Sequence, residues 1–126
     1  LAAGAVWCFA FSPNRALRFR DADTMPQTRF TAKINGASLL NYGTLDGGFY
    51  TTAGVLPPCK YFCVTNMPLD DQWTDQQAVL KAGAVDYVVA LTGDLHGDFP
   101  QYAVIDQCSY DGGEGEVTWY LYQLQR

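Results

Sequence analysis

Between residues 24 and 125, segments of helical period alternate with short strand-like runs, and this order constrains the fold more than any other feature. Residues 24–36 read as a helix. Thr24 offers a hydroxyl cap, Pro26 stands in the first turn, Phe30 and Ile34 lie four apart, and Asn35-Gly36 stops it. Residues 38–42 (SLLNY) form a short apolar strand. In the following GTLDGGFYTTAG, the pair Gly47-Gly48 permits a sharp strand-to-helix turn. Residues 57–66 read as a loop leading into an extended piece. Residues 68–83 give the strongest helical pattern, with Asp70 or Asp71 as cap and Trp73, Gln77, Leu80 and Ala84 on one face. Residues 86–92 (DYVVALT) are a buried strand rich in β-branched side chains. Residues 102–110 and 117–125 flank the Gly-rich DGGEGE and predict an antiparallel hairpin. In its second strand Val117, Trp119 and Leu121 share one face, and Thr118, Tyr120 and Tyr122 the other.

The expected fold is therefore one α/β domain over residues 1–126. It is a small sandwich of two or three layers with a mixed, mostly parallel sheet of about four to five strands and an antiparallel hairpin at the end. Composition agrees: 126 residues with 48% apolar side chains exclude disorder of the whole chain. A net charge of −5 removes the basic footprint of a nucleic-acid partner and would be repelled by an anionic membrane surface. No apolar run reaches the ~18–20 residues that span a bilayer. Residues 1–11 (LAAGAVWCFAF) are uncharged and lack the flanks of a signal peptide. They read as a buried strand, a buried helix or the tail of a transmembrane helix.

Gly93-Asp94-Leu95-His96-Gly97 at the end of a strand has the D-x-H-G arrangement that opens a metallophosphoesterase site. A two-metal site needs further His, Asp and Asn ligands, and His96 is the only histidine. A metal-dependent hydrolase around Asp94 and His96 is thus the weakest reading, against a solvated polar loop holding Asp94, His96 and Asp98. The four cysteines are Cys8, Cys59, Cys63 and Cys108. Cys59 and Cys63 do not have redox C-x-x-C spacing; they permit a disulfide in an oxidising compartment, while Cys8 and Cys108 suit buried positions. No nucleophile elbow, P-loop or dinucleotide fingerprint occurs, so no catalytic residue, metal site or cofactor is assigned.

The stretch LLNYGTLDGGFYTTAGVLPPCKYFCVTNMPLDD resembles the C-terminal soluble segment of bacterial polytopic GT-C-class glycosyltransferase-like membrane proteins. The matching pieces are residues 40–54, 60–63, 66–68, 86–89 and 119–122, so the resemblance covers roughly residues 24–125. It implies that residues 1–11 end or follow the last membrane span. It also implies that Ser12 onward lies on the extracytoplasmic face of the cell membrane. The partners it implies are the membrane-embedded remainder of the same chain and a lipid-linked sugar or glycan acceptor. The class usually carries its catalytic carboxylate in the membrane part, so this segment would be a non-catalytic accessory domain. The alternative is a free-standing α/β binding or interaction domain in which residues 1–11 are an internal strand.

Within the segment, Tyr42, Asp46, Gly47, Gly48, Phe49, Tyr50, Lys60, Tyr61 and Phe62 form the candidate ligand site. A glycine turn at the carboxyl end of a strand opens the crevice where α/β sheets bind ligands. An acid, a lysine and aromatics suit sugar hydroxyls and phosphate. The structural alternative is that the glycines only make a tight turn and the aromatics fill the core.

Overall fold

A computed structural model of the protein describes residues 24–65, 69–111 and 115–126. The expectations for residues 1–11 (with Cys8), for residues 66–68 and for residues 112–114 of the hairpin tip lie outside them. The elements are α1 (Pro26–Ile34), β1 (Leu39–Asn41), α2 (Phe49–Ala53), α3 (Asp70–Lys81), β2 (Tyr87–Ala90), the single turn α4 (Leu95–Asp98), β3 (Tyr102–Asp111) and β4 (Glu116–Leu124). No helix among the described residues is long and apolar enough to cross a membrane.

The four strands form one mixed sheet in the order β1-β2-β4-β3. The α/β class and the terminal antiparallel pair are as expected, but the centre is not mostly parallel: β1 pairs parallel with β2, whereas β4 pairs antiparallel with both β2 and β3. The reason is that the last strand returns into the sheet between β2 and its own hairpin partner. Side-chain alternation then sends each strand into two cores. On one side Leu39, Val89, Trp119 and Leu121 pack with Phe30 and Ile34 of α1 and Phe49 and Tyr50 of α2. On the other, Leu40, Val88, Ala90 and Tyr122 pack with Leu80 of α3 and with Leu95 and Phe99. The result has three layers. Each fully buried Leu, Ile or Phe contributes roughly 1.5–3 kcal/mol of transfer free energy.

Two helix starts differ from expectation. α1 follows Met25 rather than a Thr24 hydroxyl cap, though Pro26 stands at its start and Asn35, at φ 47°, closes it in the left-handed conformation. α3 follows Leu69, with Asp70 and Asp71 in the first turn, where the helix dipole favours acids, rather than capping it. Its buried face is also rotated by about one residue, carrying Gln72, Gln76 and Leu80, and Trp73 stays 38% exposed.

A register shift between Val104 and Asp106 bulges β3. Ile105 packs on the α1 side, and Asp106 faces α1 as well, where Arg29 Nε donates at 2.9 Å and Lys33 Nζ lies at 2.9 Å. The Arg29 hydrogen bond leads in holding the Asp106 carboxyl down at about 2, with burial opposing and Lys33 assisting. A carboxyl depressed in the folded state stabilises the fold above its unfolded pKa, near 3.8, and this stability is lost as pH falls towards 2. With both cations half-exposed, the contribution is about 1–2 kcal/mol. Asp106→Asn is therefore expected to lower the urea midpoint at pH 6 and to lose less than the parent between pH 5 and pH 2.5. Equal acid sensitivity of the two proteins would refute the assignment.

Candidate functional site

The site begins at the carboxyl end of β1. Asn41 is fully buried, and its side chain closes the next turn: Nδ2 donates to the Leu45 carbonyl at 2.9 Å, and Oδ1 accepts from the Thr44 hydroxyl at 2.9 Å. Asp46 Oδ1 then accepts the Gly48 amide at 2.9 Å, an Asx turn that starts α2. Gly48 has φ 79°, a left-handed backbone that a side chain would strain. A Cβ on Gly47 would stand 2.8 Å from the Phe49 ring and 3.3 Å from Trp119. The glycine pair thus lets the chain turn against two core aromatics.

Above this turn runs a strap, residues 57–65, with no helix or strand of its own. Its backbone is satisfied mainly by groups of other elements. The Tyr50 hydroxyl donates to the Phe62 carbonyl at 2.8 Å and accepts the Asn41 amide at 2.8 Å. The Val64 amide donates to Thr44 O at 2.8 Å. From α3, Gln76 Nε2 donates to Tyr61 O at 2.9 Å, Asp75 Oδ2 accepts the Tyr61 amide at 3.1 Å, and Gln72 Oε1 accepts the Thr65 amide at 3.2 Å. This explains the two buried glutamines: a strand-free segment needs side-chain partners for its amides and carbonyls.

Turn, α2 and strap enclose an open cavity of about 390 Å³ lined by Asp46, Tyr50, Thr51, Gly54, Val55, Leu56, Pro57 and Phe62. That is within the ~300–1,000 Å³ of small-molecule sites. Of the residues expected from sequence, the fold brings Asp46, Tyr50 and Phe62 to this cavity. Phe62 is 41% exposed and meets the Tyr50 ring edge-on at 6.1 Å. Burial, above all, pushes the Tyr50 hydroxyl well above its ordinary pKa, so it stays protonated and serves as a strut.

The other expected residues lie elsewhere. Phe49 is fully buried in the core, 4.8 Å from Trp119 and 6.1 Å from Phe30 between ring centroids. Tyr42 packs against Trp73 and Phe99 at 5.7 and 6.0 Å, with the core on the opposite side of the sheet. Lys60 lies over the Tyr61 ring, 4.6 Å from its centroid, and donates to the Tyr61 hydroxyl at 3.1 Å; neither residue lines the cavity. Thr51, Gly54, Val55, Leu56 and Pro57 complete the lining without having been expected. The only hint of them in the sequence is an apolar V-L-P-P run directly after the helix-ending Gly54.

Cys59 and Cys63 are unbridged in this structure. Cys59 Sγ donates to the Tyr61 carbonyl at 3.4 Å, and burial, with the Asp75 carboxylate adding to it, pushes its thiol up to about 11. In the D-x-H-G turn, His96 Nδ1 lies 2.8 Å from the Tyr102 carbonyl, which assigns the proton to that nitrogen. Among the described residues no group of three or more His, Cys, Asp or Glu is placed to hold a metal ion.

No family model, curated protein or solved structure matches the chain.

Proposed function

We propose that the chain is a non-catalytic extracytoplasmic accessory domain of a membrane glycosyltransferase-like protein, and that it helps hold a sugar donor or acceptor. The observation that carries this reading is the cavity at the carboxyl end of β1, where Asp46, Tyr50 and Phe62 meet beside the glycine turn. The crevice at that end of a strand is where α/β sheets bind ligands. The Asp46 carboxylate, the Thr51 hydroxyl and the exposed Phe62 ring beside aliphatic Val55, Leu56 and Pro57 suit a sugar. The partners would be the membrane-embedded part of the same chain and a lipid-linked sugar or glycan acceptor. Amide spectra of the protein titrated with methyl glucoside, N-acetylglucosamine, glucose 1-phosphate and a short polyprenyl phosphate test the site. Shifts confined to Asp46, Gly48, Thr51 and Phe62 are expected for at least one of them. No shift there with any of the four would overturn the sugar-binding reading.

A second reading, a free-standing interaction domain, draws on the apolar rim. Leu56, 88% exposed, lines the cavity together with the 41%-exposed Phe62. The coding sequence upstream of Leu1 separates the two: about ten or more apolar spans of ~20 residues favour the first, and a nearby start codon the second.

A further inference from the structure

We infer that this cavity selects an uncharged, hydroxyl-bearing ring and rejects phosphorylated sugars, so that among sugar ligands it would take a glycan acceptor rather than a phosphate-linked donor. The inference rests on the sugar-binding reading above and narrows it.

Charge decides first. Asp46 is the only charged residue among those lining the cavity, and no Lys or Arg is among them. The nearest candidate cation in sequence, Lys60, is directed to its neighbour Tyr61. A phosphate would therefore meet the exposed Asp46 carboxylate with no compensating cation among the lining residues, and the two like charges repel. The Gly48 amide is already bound by Asp46 Oδ1.

The polar groups left over then define the ligand. The Tyr50 hydroxyl spends its proton on Phe62 O and accepts from the Asn41 amide. Asp46 Oδ2 and the Thr51 hydroxyl have no protein partner among the described residues and line the opening. A carboxylate oxygen accepts a ligand hydroxyl in a charge-assisted hydrogen bond. The Phe62 ring, packed edge-to-face with Tyr50, lines the cavity together with the aliphatic Val55, Leu56 and Pro57. One ligand face must therefore be C–H rich and one edge must donate hydroxyls, which describes a neutral pyranose and not an anion.

The test compares methyl glucoside and N-acetylglucosamine with glucose 1-phosphate on the 126-residue protein, with affinities read from amide shifts at Asp46, Thr51 and Phe62. At least one neutral ring is expected to bind about ten-fold or more tighter than the phosphate. Asp46→Asn keeps the oxygen that accepts the Gly48 amide, so the turn is retained. It is expected to weaken the neutral ring about ten-fold while strengthening glucose 1-phosphate. Phe62→Ala is expected to weaken the neutral ring about five-fold or more. Glucose 1-phosphate binding as tightly as the neutral rings, with shifts at the same amides, would overturn the selectivity and leave the sugar-binding reading standing. An Asp46→Asn variant that shifts both ligands the same way would also overturn it. Silence from all three ligands at these amides would overturn the selectivity, and silence from the polyprenyl phosphate as well would remove the sugar-binding reading too.

Discussion

Gln76→Leu is expected to lower the unfolding free energy by about 3–4 kcal/mol and the melting temperature by roughly 10–15 °C. Gln76 is fully buried. Its amide donates to Tyr61 O at 2.9 Å and to Asn41 O at 3.3 Å, while its carbonyl accepts the Gly43 amide at 3.0 Å. Leucine fills the volume but leaves those three backbone groups without this partner, at about 1–3 kcal/mol for each one that stays dry. The strap lies at the surface, so water reaches part of it, which holds the sum near the lower end. The strap should loosen before the sheet does. Hydrogen exchange at Tyr61 and Val64 is expected to accelerate more than at Val88 or Leu121, which sit in the sheet core. Gln76→Glu should be at least as damaging, because it sets a carboxylate against two carbonyls. Gln72→Leu, which loses bonds to Thr65 alone, should cost only about 1 kcal/mol. A Gln76→Leu protein within about 1 kcal/mol of the parent would show that α3 does not hold the strap.

Phe49→Ala should destabilise by about 3–5 kcal/mol. The ring is fully buried between Phe30 and Trp119, and it lies where a Cβ on Gly47 would stand. Its removal opens a cavity that neighbouring rigid aromatics cannot collapse to fill. Near-UV circular dichroism should weaken as Trp119 loses its fixed neighbour, and the urea midpoint should fall. The outcome also separates core from ligand-contact roles. A core residue lowers stability while the folded fraction still binds, whereas a contact residue abolishes binding at nearly unchanged stability. Unchanged stability in Phe49→Ala would return Phe49 to the candidate contacts.

The sequence was most informative where physics is local. Pro26, the Asn35-Gly36 stop, the two-residue alternation of 117–122 and the β-branched run at 87–90 each specify their element through backbone sterics or a simple period. Each appears within a few residues of its expected place. The Asp46-Gly47-Gly48 turn is equally local, because only glycine takes the conformation seen at Gly48 and an aspartate readily accepts the amide two residues on. The α3 face was not legible. Helical period points to Trp73, Gln77, Leu80 and Ala84 as one face, whereas Gln72, Gln76 and Leu80 are the residues that turn inward. Here glutamine faces inward because the strap on that side has backbone groups and few apolar ones to offer.

For the candidate site, residue type marked the right turn but not its companions. Asp46 and Phe62, sixteen positions apart in the chain, line one cavity, while Lys60 and Tyr61, adjacent to Phe62, do not. Direction along the strap follows which carbonyls and amides find partners on α2, α3 and the turn after β1. Tyr42 and Phe49 were drawn into the two cores by the alternation of the sheet and by the start of α2. The sequence by itself determined the element types, the glycine turn and the α/β class, because those follow from short-range dihedral preference and periodicity. Only the tertiary structure decided the strand order, the polar inner face of α3 and which aromatics stay exposed. Those depend on long-range pairing and on which buried backbone groups remain to be satisfied once the sheet has formed.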